Sequence, residues 1–228
     1  MLDCPRPVSA PRLGVETKVS GPNWDRAARF YDLQLPLERP ALDAAVELAG
    51  AAPEDRLLDV ATGTAGLLRR LARRPSRPKR AVGSDVSTEM LARAPTLPPG
   101  WELQPADARA LPFPDASFDL ATACYLLHLL TAPTRHQVLG EIARVLRPGG
   151  RLVTVTPAEP RTRAGRTVAA PVIALARRSS GLLAGLRPLD PTHELTAAGF
   201  ALRCVRRVAR GYPPSVCVLA ERLPHLET

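Results

Sequence analysis

Three aspartates and a run of small residues are spaced as a nucleoside-binding cradle needs them. Asp59 stands in Leu57-Leu58-Asp59-Val60-Ala61-Thr62-Gly63-Thr64-Ala65-Gly66, Asp85 ends Val82-Gly83-Ser84-Asp85, and Asp107 stands in Pro105-Ala106-Asp107-Ala108. A loop of small residues lets backbone amides approach a ligand. A carboxylate about twenty residues further on takes the hydroxyls of a ribose through its two oxygens. The chemistry implied is the holding of an adenosine-bearing cofactor. His128, an imidazole that titrates near neutrality, and the phenol of neighbouring Tyr125 are the candidates for moving a proton. Cys4, Cys124, Cys204 and Cys217 have no Cys-x-x-Cys spacing, which argues against a zinc site and for reduced thiols in a cytoplasm. The last three sit in apolar runs that predict buried strands.

These groups need a framework, and the hydrophobic patterning supplies one. Strands are predicted over Arg56 to Val60, Ala81 to Ser84, Trp101 to Gln104, Phe118 to Cys124 and Arg151 to Val155. Their nearly unbroken apolar character marks parallel strands covered on both faces. Helices are expected between them: one after the glycine loop with Leu67, Leu68 and Leu71 inward, and one capped by Ser87 and reaching Ala94. A third runs from Thr134 to Leu146 and closes at Pro148-Gly149-Gly150. Two short helices broken at Pro36 and Pro40 precede the first strand. Beyond Pro157 the alternation stops. A long connection carries the apolar stretch Val168 to Ala176, expected to be helical despite Pro171. A short helix from Asp190 to Gly199 and the strands Ala201 to Val208 and Val216 to Glu221 then end the chain as an antiparallel hairpin.

The 228 residues suffice for one α/β domain, and no run of 18 apolar residues offers a membrane span. Residues 1–22, with Pro5, Pro7 and Pro11, are expected to be a flexible tail. A single domain then fills 23–228: N-terminal helices over 23–55, a cofactor-binding core over 56–156, a variable acceptor-side segment over 157–188, and a C-terminal helix and hairpin over 189–228. The net charge of +9 invites a nucleic-acid partner. Yet Lys18 and Lys79 are the only lysines, and basicity carried by arginine in an Ala-, Pro- and Leu-rich chain reads as compositional bias. Nucleic acid is therefore an unlikely partner.

The loop by itself fits two cofactors. Ala61, Gly63 and Gly66 match a G-x-G-x-x-G dinucleotide fingerprint lacking its first glycine, while Asp59, Ala61, Gly63 and Ala65 match a D-x-G-x-G-x-G loop with two glycines replaced by alanine. Three features separate the two. None of Tyr31, Tyr125 and Tyr212 has the lysine four positions on that a short-chain reductase needs. Asp107 follows the third strand, where a carboxylate accepts an adenine amine. The turn Leu146-Arg147-Pro148-Gly149-Gly150 follows the fourth strand and its helix at close spacing. From Arg56 to Val155 these ordered motifs resemble class I S-adenosylmethionine-dependent methyltransferases, notably the subgroup that includes quinone, lipid and natural-product enzymes.

The resemblance implies a Rossmann-like, doubly wound, mostly parallel seven-stranded sheet with an antiparallel last strand. It implies S-adenosyl-L-methionine as cofactor, with the loop from Ala61 through Thr62 and Gly63 to Ala65 against its methionine moiety and Asp85 on the ribose. Asp107 and Ala108 then meet the adenine, Val86 and Met90 pack on it, and Asp59 orders the loop. Tyr31 lies over the methionine end, and Cys124 borders the site. At Ala61 only small size is required, whereas Ala65 costs roughly 1 kcal/mol if its φ is positive and Gly66 does not absorb the turn.

The expected activity is methyl transfer to a small, hydrophobic acceptor by a cytoplasmic monomer or homodimer. An RNA or protein methyltransferase and an NAD(P)-dependent reductase are the alternatives, with a degenerate, non-catalytic binder as a third. Against the first, Ala123-Cys124-Tyr125-Leu126 stands where an Asn/Asp-Pro-Pro-Tyr/Phe tetrapeptide belongs.

Overall fold

The computed structural model describes residues 35–160, 163, 167, 170–171, 187–210 and 213–224. In chain order the elements are α1 (Leu35–Ala49), β1 (Arg56–Val60), α2 (Gly66–Leu71), β2 (Arg80–Asp85), α3 (Thr88–Leu91), β3 (Trp101–Pro105) and β4 (Phe118–Cys124). A 3-10 turn at Leu127–Leu129 leads to α4 (Ala132–Val145), β5 (Leu146–Pro157), α5 (Thr192–Ala197), β6 (Phe200–Val208) and β7 (Ser215–Arg222). The strands form one seven-stranded sheet ordered β3-β2-β1-β4-β5-β7-β6. The first five run parallel, and β7 enters antiparallel between β5 and β6.

Alternating side chains feed two cores, one on each face. Leu58, Val60, Ala121 and Leu152 pack with Val138, Leu139, Ile142 and Val145 of α4. Leu57, Leu120, Val153 and Val155 pack with Ala41, Leu42 and Ala45 of α1 and with Leu67, Leu68 and Leu71 of α2. Burial on both faces explains why the parallel strands read as continuous apolar runs. From β1 the chain winds outward through β2 to β3, then returns to place β4 on the other side of β1. The crevice at the carboxyl ends of β1 and β4 is thus the switch point where open α/β sheets hold ligands.

Local details differ from the sequence expectations. Among the described residues one helix precedes β1, and it runs through Pro40 instead of breaking there. Pro36 lies in the first turn, where amides have no intrahelical acceptor, and Pro40 forgoes one bond to the carbonyl of residue 36. Ser87 does cap α3, its hydroxyl accepting the Met90 amide at 3.2 Å. Regular helix stops at Leu91, and tighter turns carry the chain to Ala94. Helix α4 starts at Ala132 behind a Thr131 cap, and the anticipated turn at 146–150 is a bulged excursion inside β5. Pairing slips there between Phe118 and Leu120. Gly149 has φ +74°, and a side chain on Gly150 would meet the Arg147 carbonyl at 2.7 Å.

Cys217 is buried and Cys124 partly so, but Cys204 is exposed. It lies on β6, an edge strand exposed over most of its length, so its apolar neighbours in sequence face solvent. The tail 1–22, Cys4, Tyr31 and Tyr212 lie outside the described residues. Within 161–186, Arg163, Thr167, Ala170 and Pro171 are described, all helical.

Candidate functional site

Backbone shape comes first at the crevice. Past Val60 the chain adopts left-handed conformations at alternate residues: Ala61 at φ 56°, Gly63 at 56° and Ala65 at 61°. An L-residue with a side chain pays about 1–2 kcal/mol there, so Ala61 and Ala65 are both strained. Small size is therefore not the whole requirement at Ala61. Nor does Gly66 absorb the turn at Ala65. Its missing side chain admits Leu35 of α1, whose Cδ2 would lie 3.0 Å from an added Cβ.

Three hydrogen-bonding centres hold this shape. Asp59 is buried at the end of β1, where Thr62 Oγ1 donates to its Oδ2 and Thr122 Oγ1 to its Oδ1, each at 2.6 Å. It thereby joins the loop to β4. Burial pushes its carboxyl up to about 6, against the two threonine hydroxyls and with the charge of Asp85. The amide of Thr62 donates to the Ser84 carbonyl at 2.9 Å, and the amide of Ala65 to the Thr62 carbonyl at 2.9 Å. At the end of β2, Asp85 accepts the Gly63 amide on Oδ2 at 2.8 Å and the Ser87 amide on Oδ1 at 2.9 Å. Asp85 is half-buried at this point. Beside it Val86 is 52% exposed, whereas Met90 is buried and belongs to the core.

Asp107 engages a neighbour. Arg109 donates to it from the backbone amide at 2.9 Å and from the guanidinium at 2.5 to 3.0 Å. Partial burial pushes its carboxyl up, but the Arg109 hydrogen bonds and charge outweigh this and hold it below the usual carboxylate range. Ala108 packs toward the α4-side core.

At the end of β4, Cys124 is a neutral thiol, raised by burial and by the nearby Asp59, Cys217 and Glu38. Tyr125 follows at φ 57°, a left-handed conformation unusual for a bulky residue and characteristic of functional crossings. Its amide donates to the Val155 carbonyl at 2.7 Å, and its hydroxyl shares a 2.9 Å hydrogen bond with Ser215 Oγ. Burial raises its phenol far above the ordinary range. Tyr125 thus stays protonated at neutral pH. His128 is buried in the 3-10 turn, its ring edge-on to Tyr125 with centroids 6.2 Å apart.

Two contributors escaped the sequence reading. Gly83 lies beneath the loop, where an added Cβ would meet Leu68 at 2.8 Å, Leu103 at 2.9 Å and Thr62 at 3.0 Å. Glu38 of α1 is 6% exposed. Burial pushes its carboxyl up to about 7, while the Arg70 charge pulls it down. The signal for Glu38 is present in the helical spacing, since residues 38, 41, 42, 45 and 49 share the buried stripe of α1 and one of them is an acid. A cavity of about 450 Å³ opens at the end of β5, lined among others by Ala158, Glu159, Leu189, Asp190, Arg207 and Val216. Among the described residues no cluster of His, Cys, Asp and Glu is arranged to hold a metal.

The donor set suits a nucleoside: a carboxylate, Asp85, at the end of β2, an exposed apolar flank at Val86, and the buried Asp59 holding the loop from the end of β1. Residues 57–150 match the family described as methyltransferase domain, and with the sheet order that stretch resembles the core of a class I S-adenosylmethionine-dependent methyltransferase. It is 38% identical over 140 residues to the demethylmenaquinone methyltransferase of Thermus thermophilus, covering 59% of this chain and 60% of that protein. It is 36% identical over 121 residues to the ubiquinone/menaquinone biosynthesis C-methyltransferase UbiE of Teredinibacter turnerae, covering 50% and 48%. The chain therefore spans about half to three-fifths of the length of these curated relatives. A SAM-dependent methyltransferase structure from Aquifex aeolicus superposes with a TM-score of 0.65 at 19% identity, over 87% of this chain and 98% of that one. That likeness is one of fold.

Proposed function

We propose that this chain transfers a methyl group from S-adenosylmethionine to a small, hydrophobic acceptor of the quinone class. The observation that supports it best is Asp85, a carboxylate held by the Gly63 and Ser87 amides at the switch-point crevice. In this reading Asp85 takes the ribose hydroxyls and Val86 covers one face of the adenine. Asp107, oriented by Arg109, accepts the adenine amine with Ala108 beside it. Ala61, Thr62 and Gly63 present backbone to the methionine moiety, Asp59 keeps that backbone in shape, and Tyr31 belongs at the methionine end. Cys124 borders the donor, while Met90 supports the adenine flank from within the core. The cofactor supplies an electrophilic methyl on a sulfonium, and the protein supplies alignment for in-line displacement.

For the acceptor, the cavity at the end of β5 adjoins the segment 157–188, which we assign to acceptor recognition within a single domain over 23–228. Its lining by Ala158, Leu189 and Val216 suits an apolar body, and the names of the relatives point to quinones. His128 is the candidate base where the acceptor must lose a proton. Among the described residues no helix is long and apolar enough to cross a membrane, and we take the enzyme to act in the cytoplasm as a monomer or homodimer. The matches favour neither RNA or protein methylation nor hydride transfer.

Titration calorimetry with S-adenosylhomocysteine and with NADH tests the donor. S-adenosylhomocysteine should bind and NADH should not, and the reverse would overturn the assignment. Transfer of a labelled methyl to a 1,4-naphthoquinol lacking its ring methyl tests the acceptor class, with an unmethylated RNA pool as the competing substrate. Label appearing in RNA alone would sink the quinone reading.

A further inference from the structure

Helix α4 carries a polar stripe that the reading above leaves without a task. Gln137, Glu141 and Arg144 are spaced four and three apart and so share one helical face, beside the stripe of Val138, Ile142 and Val145 that enters the core. All three turn to the connection between β3 and β4, residues 106–117. Gln137 Nε2 donates to the Arg109 carbonyl at 3.1 Å. Glu141 Oε2 accepts the Leu111 amide at 2.8 Å and Arg144 Nη2 donates to the Leu111 carbonyl at 2.9 Å, so the pair meets both backbone groups of one residue. Arg144 Nη1 donates to the Phe113 carbonyl at 2.9 Å and to Asp115 Oδ1 at 2.6 Å. The pair is itself locked as a fork, Nε to Oε1 at 2.8 Å and Nη2 to Oε2 at 2.9 Å, which fixes direction as well as distance. Loop backbone that would otherwise turn to water is thus tied to a rigid helix.

The connection matters because Asp107 stands at its start. The Ala106 amide donates to the Asp85 carbonyl at 3.0 Å, which sets this end of the connection beside the carboxylate that closes β2. The Asp107 side chain is then oriented by the amide and guanidinium of Arg109, and Arg109 is the residue whose carbonyl Gln137 holds. Two residues on, Leu111 is fastened at its amide and carbonyl and buried at its side chain. We propose that Gln137, Glu141 and Arg144 are positioning residues for the base of the cofactor: they fix the course of residues 109–113, and with it the direction of the Asp107 carboxylate, so that a purine bearing a 6-amino group is preferred to one without it. The preference is therefore set by a helix outside the crevice. This inference rests on the assignment of Asp107 to the adenine amine.

The test needs no acceptor. S-adenosylhomocysteine and its analogue with hydrogen in place of the 6-amino group are each titrated calorimetrically into wild type, Arg144→Met and Gln137→Ala, with a melting curve on each protein. Wild type should prefer the amine at least about tenfold, the effect of one hydrogen bond to a charged group. Arg144→Met should bring the preference to about threefold or below, because a carboxylate that has drifted loses a directional bond to the base while the ribose and methionine contacts are kept. Gln137→Ala, at an exposed position, should lower the preference in the same direction and serves alone if Arg144→Met does not fold or binds too weakly to measure. An undiminished preference in these variants, whatever the change in Tm, leaves the stripe a structural staple and overturns the inference, with Asp107 still on the adenine. A wild type that binds both ligands equally, or neither, overturns the Asp107 assignment and this inference together.

Discussion

The amide of Gly63 donates to Oδ2 of Asp85 at 2.8 Å, a bond that ties the glycine loop to the end of the neighbouring strand across twenty-two positions of sequence. The residue read as a ligand acceptor is therefore also a structural clamp. Its second oxygen holds the Ser87 amide at the head of α3. Asp85→Ala should weaken S-adenosylhomocysteine at least tenfold and also lower Tm, because two half-buried amides lose their acceptor at about 1–3 kcal/mol each. Calorimetry and a melting curve on the same sample check both effects. Unchanged affinity would refute the ribose role.

The alanines of the loop make a prediction of opposite sign. Ala61→Gly should stabilise the protein by up to about 1 kcal/mol, since the left-handed strain is relieved while glycine adds freedom to the unfolded chain. Ala65→Gly should gain less, because the Ala65 methyl is fully buried. Ala65→Val should destabilise by more than 1 kcal/mol, as a β-branched residue tolerates that conformation poorly. Denaturant melts of the three variants order them.

Gly83→Ala should cost about 1–3 kcal/mol and weaken the cofactor. The new methyl would meet Leu68, Leu103 and Thr62 at or within 3.0 Å. The leucine ends can move, but Thr62 Oγ1 is committed to Asp59. The loop must therefore shift, and loss of stability with no change in affinity would show that it does not.

Glu38 and Asp59 both have raised carboxyls, to about 7 and about 6, and this fixes the sign of a pH effect. Below the unfolded value near 4.5 for Glu38 both states are protonated and the contribution is level. As pH rises toward 7 the unfolded chain ionises first, so stability declines, and above 7 the loss stays constant. For Glu38 the full decline is roughly 3 kcal/mol. Glu38→Gln should melt close to wild type at pH 5 and above it at pH 8.

Tyr125→Phe removes the hydroxyl shared with Ser215 and should cost about 1 kcal/mol. Methyl transfer should persist, since the phenol stays protonated. Loss of turnover with an unchanged melting point would restore Tyr125 as a participant in the chemistry.

How far the sequence carried the fold shows in particular elements. Strand β4 was readable in full because Phe118 to Cys124 is covered on both faces over most of its length and is therefore apolar but for Asp119 and Thr122. Ser87 was readable as a cap because its hydroxyl meets an amide three residues on. The helix through Pro40 was not, because packing of Ala41, Leu42 and Ala45 against the sheet outweighs one forgone backbone bond. Cys204 misled for a related reason: an apolar neighbourhood in sequence does not say that the strand will be an edge.

The sequence by itself determined the order of strands and helices, the small-residue loop after β1 and the carboxylate after β2, since these depend on residues near one another in the chain. Tertiary structure alone decided the rest. It set the left-handed geometry at Ala61 and Ala65, which is imposed by Asp59 and its threonines on β4 and the loop. It engaged Asp107 with Arg109, buried Tyr125 against Ser215, and enclosed Glu38 beside the end of β4. Burial and charge are sums over neighbours brought together from distant parts of the chain, so the ionisation of a carboxyl is legible only once those neighbours are in place.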